Sequence, residues 1–331
     1  MKFGIIGLGA IASKFTKGIH RAKGANLYAV ASRDVKKAKL FAKNNHVDIA
    51  YGSYEELLED NTVEAVYIAV PHPFHYKWSM EAIKHKKHVI CEKPCGMNEQ
   101  EVKEMVEAAK KAKVYFAEGF MYRMHPQTFA IIKAMNSGVI GDIKHITASF
   151  GYPFMSLEEI PERIYKKELG GGGILDVGCY PLSYTRMLVS AIEDKLTEPT
   201  EFHATGYVNE EDVDMHTDAV MKFPNGITAT ISCSIDSEQP NSVKIFGTKG
   251  YLSIKEPYTA TANKNAAIMS CHLFDGKIKR YYEETTNLYS YEVEALIEFV
   301  GEGECPYITH QDSINNAHWL DLWQKQIREN K

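Results

Sequence analysis

Lys93 is the residue whose position points most directly to chemistry. It follows a short apolar run, His88 to Cys91, and the acid Glu92, and it precedes Pro94. In open parallel α/β sheets, ligands bind at the carboxyl ends of the strands, where this lysine would lie. Burial or a neighbouring cation can lower the pKa of a lysine enough for acid–base work. A lysine after a strand is also commonly a solvated group, so the interpretation of Lys93 as a site residue needs support from other parts of the sequence.

A second group of reactive side chains follows four consecutive glycines at positions 170–173. Because such a run is costly in a folded chain, it indicates a backbone that must come very close to another group. Asp176 and Tyr180 lie four residues apart on the helix predicted after the run, so a carboxylate and a phenol can face one pocket. The structural alternative places Tyr180 in a core and makes Asp176 a first-turn acid favoured by the helix dipole.

The start of the chain has the pattern of a dinucleotide-binding turn. A strand over Phe3 to Ile6 runs into a turn of the form G-x-G-x-x-A, and a helix follows. The first glycine permits the tight turn, the second lets the backbone approach a pyrophosphate, and the small third residue lets the helix pack on the strand. The predicted cofactor residues of this turn are Gly7, Gly9, Ala10 and Ile11.

The end of the second predicted strand indicates which dinucleotide is used. An NAD-selective site would place an acid there against the ribose hydroxyls, and this chain has Ser32 followed by Arg33. A hydroxyl and a guanidinium suit a 2′-phosphate, so we predict NADP rather than NAD. Asp34 precedes a helical stretch and is predicted to be its N-cap.

The fourth predicted strand ends in Pro71, which would hold the following loop against the cofactor. His72 and His75 come next, and His75 would cap or orient the next helix. Local structural roles and cofactor contact are both open for the two histidines. The alternation of strands and helices up to Gly119 favours a parallel, doubly wound sheet with right-handed crossovers.

After residue 121 the pattern changes to one helix and then mainly strands joined by tight turns. Asn225-Gly226, Asp275-Gly276 and Thr248-Lys249-Gly250 mark three hairpins. The sequence therefore predicts an α/β protein with a Rossmann domain over 1–121 and an α+β domain on an open, mainly antiparallel sheet over 122–331. Along 227–232, apolar residues alternate with threonine and serine. The sheet is therefore expected to have one face on a core and one face of small polar residues, which suits dimerisation.

Composition excludes several classes of protein. The chain has 331 residues, with 38 basic against 43 acidic side chains and a net charge of -5, so nothing favours nucleic acid or an anionic membrane as partner. No apolar run approaches the roughly 20 residues that span a bilayer, and a cytoplasmic protein is expected. The six cysteines show no zinc or disulfide pattern, so we expect buried thiols and no metal.

The motifs together resemble the glucose-fructose oxidoreductase / inositol dehydrogenase / rhizopine catabolism family over nearly the whole chain. The resemblance is carried by the glycine turn, by Glu92-Lys93-Pro94, by Tyr122 to Pro126 with Arg123, and by the glycine run with its D-x-G element. It implies that Lys93 lies beside the nicotinamide, that the backbone of the glycine run approaches it, and that Glu92 and Arg123 belong to the cofactor site. It also implies oligomers, here a homodimer with a tetramer as the alternative.

The resemblance gives catalytic roles to Lys93, Asp176 and Tyr180. Many relatives have histidine where this chain has Tyr180, which is similar to the branch that contains dimeric dihydrodiol dehydrogenase and NADP-dependent xylose 1-dehydrogenase. Many also have an arginine shortly before the glycine run, for which Arg163 is the candidate. Pro94 is expected to fix the turn that aims the lysine, and a cis peptide after Lys93 is one way to do so.

The resulting hypothesis is reversible hydride transfer between NADP and a carbinol carbon of a sugar, cyclic polyol or dihydrodiol. Tyr180 would move the hydroxyl proton, Lys93 would lower the phenol pKa and hold the substrate oxygen, and Asp176 would orient the substrate or the base. Lys93 and Tyr180 could exchange roles. The alternatives are a non-catalytic NADP-binding sensor and a reductase of ketones or dicarbonyl sugars.

Overall fold

The chain forms two compact units in the computed structural model, which describes residues 1–158, 160–259, 268–282 and 287–329. One unit consists of Met1–Met124 and a C-terminal segment that ends at Ala317. The other begins at His125, continues up to that segment and resumes at His318. The chain thus returns to the first unit late in the sequence, where the sequence indicated a single boundary after residue 121.

Strands and helices alternate in the first unit, whereas strands dominate the second. The strands within the described residues are β1 (Lys2–Ile6), β2 (Asn26–Ala31), β3 (Ile49–Tyr51), β4 (Ala65–Ile68), β5 (His88–Glu92), β6 (Phe116–Gly119), β7 (Ile143–Gly151), β8 (Glu201–Val208), β9 (Asp214–Lys222), β10 (Thr228–Ser234), β11 (Gln239–Gly247), β12 (Gly250–Lys255), β13 (Met269–Leu273) and β14 (Ile278–Tyr281). The α-helices there are α1 (Ala10–Ile19), α2 (Val35–Asn45), α3 (Tyr54–Glu59), α4 (His75–Lys84), α5 (Glu99–Ala112), α6 (Pro126–Asn136), α7 (Glu162–Tyr165), α8 (Cys179–Glu193), α9 (Leu288–Phe299) and α10 (His310–Glu329).

The sheet of the first unit is parallel throughout, with the strand order β3-β2-β1-β4-β5-β6. Helices cover both faces of such a sheet, which is why its strands are continuous apolar runs. Ile6, Ile68 and Val89 have no exposed surface. The predicted doubly wound Rossmann fold is confirmed.

Side-chain caps fix where several helices of this unit begin. The Asp34 carboxylate accepts the main-chain N–H of Lys36 at 2.8 Å, so Asp34 is the predicted N-cap of α2. At the start of α5, Asn98 accepts the Glu101 N–H at 2.9 Å, and the Glu101 carboxylate accepts the Met97 N–H at 2.8 Å. This reciprocal pair is close to a capping box.

The sheet of the second unit is mainly antiparallel, with the order β14-β13-β12-β11-β7-β10-β9-β8 among the described strands. Its one parallel pair there is β7 with β10. The predicted hairpins are β9–β10, β11–β12 and β13–β14. Ala229 and Ile231 are fully buried, and Thr228 and Thr230 are half-buried on the other face, so the predicted alternation is confirmed.

The helix after the glycine run differs from its prediction. Residues Ile174–Gly178 form a π-helical turn, and regular α-helix begins only at Cys179. The inference that Asp176 and Tyr180 share one α-helical face is therefore wrong as stated, since Asp176 lies on the wider turn. Short π-helical segments occur frequently at functional sites.

The six cysteines are all buried free thiols, as predicted. Burial raises the pKa of Cys91 and of Cys233 well above the ordinary thiol value, so neither is a reactive thiolate at neutral pH. Among the helices that the described residues form, none combines the length and apolarity needed to cross a bilayer.

An ion pair between a fully buried arginine and a partly buried glutamate anchors α8. Arg186 has no exposed surface, and its guanidinium donates to both carboxylate oxygens of Glu198, at 2.7 and 2.6 Å. The Trp319 indole N–H donates to the same carboxylate at 2.7 Å. Removing one partner of a buried pair leaves an uncompensated charge, which is strongly destabilising.

We expect Glu198→Gln to lower the free energy of unfolding by about 3 kcal/mol, because the buried Arg186 guanidinium loses the carboxylate to which it donates two hydrogen bonds. The matched control is Glu201→Gln, which removes an exposed pair with Lys222 and should cost less than about 1 kcal/mol. Urea unfolding measures both. Equal losses in the two variants would contradict the anchoring role.

Candidate functional site

The glycine turn after β1 leaves room for a ligand at one position and none at the other. Gly7 has φ +90°, and a Cβ there would lie 2.6 Å from the main-chain oxygen of Ala69. A Cβ on Gly9 would meet nothing within 4 Å. Gly7 is therefore required by the turn itself, whereas nothing in the described protein requires Gly9. The open space at Gly9 fits a pyrophosphate lying close to the backbone.

The N-terminus of α1 also fits a bound phosphate. Gly9 is its N-cap, and no side chain of the described residues caps this helix. By contrast, α2, α3 and α5 are capped by the side chains of Asp34, Ser53 and Asn98. The first N–H groups of α1, which begins at the predicted residues Ala10 and Ile11, are thus left for an anion, which the helix dipole also favours.

Ser32 and Arg33 follow β2 as predicted. The Ser32 hydroxyl is buried and accepts the Asp34 N–H at 3.3 Å. Arg33 is exposed, and its guanidinium reaches the phenol of Tyr54. Burial raises the pKa of Tyr54, while hydrogen bonding to Arg33 opposes that rise. Arg33 therefore lies beside the strand end with an exposed cation available to an anion.

His75 ties together the loops that follow β4 and β5. Its Nε2 lies 2.7 Å from the Val70 oxygen, and its Nδ1 lies 2.9 Å from the Pro94 oxygen. Burial lowers the pKa of His75 to about 4, so the ring is neutral near pH 7 and donates to one of these carbonyls. This geometry favours the structural role for His75. Pro71 precedes the buried His72 in the same loop, and cofactor contact by these residues stays a prediction.

Glu92 ends β5 and Lys93 directly follows it, and both have little exposed surface, 8% and 9%. The Tyr67 hydroxyl donates to one oxygen of the Glu92 carboxylate, and the Lys93 main-chain N–H donates to the other at 3.3 Å. The Lys93–Pro94 peptide bond is cis, as the sequence suggested. Glu92 therefore fixes the main chain that carries the lysine.

Arg123 is buried inside the first unit. Its guanidinium forms an ion pair of 2.8 Å with Asp312 and donates to the Tyr307 oxygen at 3.3 Å. Both partners come from the C-terminal segment that returns to this unit. The structure thus gives Arg123 internal partners, and its predicted place among the cofactor residues stays a prediction.

In the second unit, Asp176 is held by two side chains. The Arg163 guanidinium lies 2.9 Å from one carboxylate oxygen, and the Tyr152 hydroxyl donates to the other. Burial and the Asp176 charge raise the pKa of Tyr152, so this phenol keeps its proton. The predicted Arg163 is therefore in register with Asp176. Together these contacts fix the direction of the carboxylate.

Tyr180 is nearly buried among aromatic rings. Its ring centroid lies 5.6 Å from that of Phe150 and 5.6 Å from that of Tyr258. Such packing allows the ring few orientations, which suits a phenol that must present its hydroxyl in one direction.

The glycine run comes close to the chain's own atoms. Gly172 has φ +121°, and a Cβ there would lie 2.2 Å from Oδ1 of Asp214. A Cβ on Gly171 would lie 2.7 Å from the Ile164 oxygen. Asp214 also accepts the Ile174 N–H at 2.6 Å, so it caps the π-helical turn that carries Asp176. Internal packing thus accounts for these two glycines, and the predicted approach to the nicotinamide stays a prediction.

A cleft of about 610 Å³ lies in the second unit. The sequence of the loops Pro153 to Glu168 and Tyr258 to Ala267 makes both candidates for shaping a substrate pocket. The first loop lines this cleft, and most of the second lies outside the described residues. The lining residues are Phe154, Met155, Ile160, Tyr165, Lys166, Lys167, Glu168, Asn209 and Glu211.

Three polar residues with clear structural roles were not found from the sequence. Tyr152 directly follows β7, Asp214 begins β9, and Tyr67 is a phenol inside the buried strand β4. A polar group inside an apolar strand or at a strand end was the signal that could have found them. Their partners lie 24, 40 and 25 residues away, so the sequence does not show the pairing.

The chain matches family models and known proteins over most of its length. A family model described as an oxidoreductase family with an NAD-binding Rossmann fold, Gfo/Idh/MocA, matches residues 1–120, and the model of its C-terminal domain matches 128–253. Trans-1,2-dihydrobenzene-1,2-diol dehydrogenase of Xenopus laevis is 34% identical over 255 residues, 76% of this chain and 74% of that protein. The Danio rerio protein of the same name is 31% identical over 99% of this chain and 97% of its own.

The chain belongs to the Gfo/Idh/MocA oxidoreductase family. The family predicted from the E-K-P and glycine motifs is thus confirmed, and the relatives' names agree with the predicted dihydrodiol dehydrogenase branch. The protein is a dehydrogenase or reductase with an NAD(P)-binding Rossmann domain.

Solved structures share the fold at low identity. KijD10, a 3-ketoreductase from Actinomadura kijaniata in complex with NADP, has a TM-score of 0.84 and 23% identity over 99% of this chain and 97% of its own. Aldose-aldose oxidoreductase from Caulobacter crescentus, complexed with glycerol, has a TM-score of 0.85 and 22% identity over 100% and 98% of the two chains.

We expect Gly9→Ala to fold normally and to raise the dissociation constant of the reduced dinucleotide at least about tenfold, since the methyl group fills the space that the pyrophosphate would use. Gly7→Ala is the comparison variant. It should lower the thermal midpoint, because it adds a strained φ and a clash with Ala69. Fluorescence titration and thermal unfolding measure the two effects. Unchanged binding by Gly9→Ala would contradict the placement of the cofactor.

Proposed function

We propose that this protein is an NADP-dependent oxidoreductase that transfers a hydride between the nicotinamide and a carbinol or carbonyl carbon of a sugar, polyol or trans-dihydrodiol. The observation that carries the proposal is the family's reactive set at matching positions: Lys93 at the end of β5, and Asp176 and Tyr180 after the glycine run. The relatives named trans-1,2-dihydrobenzene-1,2-diol dehydrogenase support the diol as the first substrate class to test.

The preference for NADP rests on the end of β2. An exposed arginine and a serine stand where an NAD enzyme would have an acid, and the nearest carboxylate, Asp34, is engaged in capping α2. A guanidinium binds a 2′-phosphate through charge-assisted hydrogen bonds, whereas a carboxylate would repel it. The neighbour crystallised with NADP is consistent with this reading.

Each of the three reactive side chains has its own role in the proposed reaction. The cofactor, when bound, supplies or accepts the hydride. Tyr180 takes or returns the hydroxyl proton, Lys93 holds the substrate oxygen and favours the phenolate, and Asp176 orients the substrate hydroxyls. Arg163 and Tyr152 keep the Asp176 carboxylate in place. The exchange of roles between Lys93 and Tyr180 is the alternative assignment.

We expect Lys93→Met and Tyr180→Phe each to lower kcat about 10²- to 10⁴-fold, the usual contribution of a proton-transfer group. The exposed residues Lys84 and Tyr207 provide matched controls, and Lys84→Met and Tyr207→Phe should leave kcat unchanged. Absorbance of the reduced nicotinamide measures turnover. The variant that abolishes the pH dependence of kcat identifies the proton-transfer group. Turnover within a few-fold of the parent in both variants would refute the assignment.

We expect Arg33→Ala to raise the dissociation constant of NADPH about 10- to 100-fold and that of NADH little, since one charge-assisted hydrogen bond contributes about 1.5–3 kcal/mol. Lys36→Ala changes an exposed cation one turn away and serves as the control. Parallel fluorescence titrations with NADPH and NADH measure the ratio. An equal effect on both dinucleotides would argue against 2′-phosphate recognition.

A substrate panel separates this function from its alternatives. Sugars, inositols and dihydrodiols are offered with NADP, and ketones and dicarbonyl sugars are offered with NADPH. Turnover only in the second set would favour a reductase, for which the neighbour named 3-ketoreductase provides a reason. Binding of NADP without turnover anywhere would favour a sensor.

Cytoplasmic location and a homodimer, with a tetramer as the alternative, stay predictions. Light scattering tests the state of assembly.

A further inference from the structure

Glu292 is a buried carboxyl group without a hydrogen-bond donor in the described part of the chain. It lies on α9 with 2% of its surface exposed. Neither of its carboxyl oxygens has a hydrogen-bond partner among the described residues. A buried carboxylate in this condition would be far more costly than a protonated carboxyl group.

Glu292 lies against the strand ends that carry Glu92 and Lys93. A Cβ added to Gly119, the last residue of β6, would be 3.4 Å from Glu292 Oε1 and 3.2 Å from the Cα of Glu92. The Glu292 carboxyl group therefore lies next to the ends of β5 and β6, where a side chain at Gly119 would be crowded.

The two carboxyl groups have opposite surroundings. Glu92 accepts hydrogen bonds from the Tyr67 hydroxyl and the Lys93 N–H, both of which stabilise the charged form. Glu292 is buried, and no group in the described part of the chain donates to it, which favours its neutral form. Burial, and then the charge of Glu92, raise the pKa of Glu292 well above its ordinary value.

Among the residues that the structure describes, the titratable groups around Glu292 supply no opposing positive charge. Burial raises the pKa of the surrounding phenols and of the nearby thiol, so they are neutral at pH 7. These groups, with Glu92 on β5, are Tyr67 on β4, Tyr289 on α9, Tyr115 before β6 and Cys305.

The other described elements packed on α9 present an aromatic ring and a cation that is already paired. Helix α1 presents Phe15, whose ring contacts those of Tyr67 and Tyr289. Arg123, on the turn after β6, has its guanidinium paired with Asp312.

We propose that Glu292 is a positioning residue that holds a proton opposite Glu92, so that a single negative charge at this strand end fixes the main chain of Lys93. Ionisation of Glu292 would place a second carboxylate beside the first and draw Glu92 away from the Lys93 N–H. The positioning of Lys93 for chemistry rests on the proposed function, whereas the protonation of Glu292 does not.

The first test compares wild type with Glu292→Gln, which keeps the size of a protonated glutamate and cannot ionise. Because the folded state holds the Glu292 proton to higher pH than the unfolded state, the wild-type folding constant falls as pH rises above about 4.3, by up to tenfold per pH unit. The stability of Glu292→Gln relative to wild type should therefore increase with pH. The exposed Glu298 of the same helix gives the control Glu298→Gln, which should follow wild type.

The second test measures kcat/KM against pH in the same three proteins. Wild type and Glu298→Gln should lose activity on the alkaline side, about tenfold per pH unit, and Glu292→Gln should keep its activity to higher pH. Superimposed pH profiles of stability would overturn the protonation, and superimposed activity profiles would overturn the positioning role. A Glu292→Gln protein that does not fold would also overturn the proposal, because a neutral isostere replaces a neutral group.

The two proposals can fail separately. If wild type turns over no substrate in the panel, the proposed function fails and the stability comparison still decides the protonation. The pH dependence of NADPH binding by wild type and Glu292→Gln then replaces kcat/KM in the second test. A dissociation constant that rises with pH in wild type and less in Glu292→Gln would support the positioning role, and identical curves would overturn it.

Discussion

The hydrogen bond from the Ile174 N–H to the Asp214 carboxylate is the constraint on which the second unit's functional residues depend. The carboxylate is buried, and burial raises its pKa to about 6, so it is mainly ionised at neutral pH. Its other oxygen occupies the place that a side chain at Gly172 would take. One carboxylate therefore sets both the path of the glycine run and the start of the π-helical turn, and with them the position of Asp176.

Both units contain buried acids, and the local partners of each acid determine whether its charged or its neutral form is stabilised. Asp176 is compensated by a guanidinium and a phenol, and Asp312 by Arg123. Glu92 is stabilised by hydrogen bonds from the Tyr67 hydroxyl and the Lys93 N–H, and we propose that Glu292 is stabilised by staying neutral. The charge of each group follows from which donors reach it, because burial by itself favours the neutral form.

The sequence predicted what depends on neighbouring residues. The glycine turn, the Asp34 cap, the hairpin at Asn225-Gly226 and the parallel sheet all follow from local patterns, and the structure has them. The π-helical turn was missed because its cause, Asp214, lies 40 residues from Ile174. The return of the C-terminal segment to the first unit, which brings Glu292 to β5, was missed because helix periodicity does not reveal which core a helix joins.

The most direct test of the account is to follow the hydride itself. A trans-dihydrodiol deuterated at its carbinol carbon is incubated with the protein and NADP, and the reduced cofactor is analysed by mass spectrometry. The account predicts that the deuterium appears at C4 of the nicotinamide, on one face only. Oxidation of the diol with the label released to water, or no label on the cofactor, would contradict direct hydride transfer.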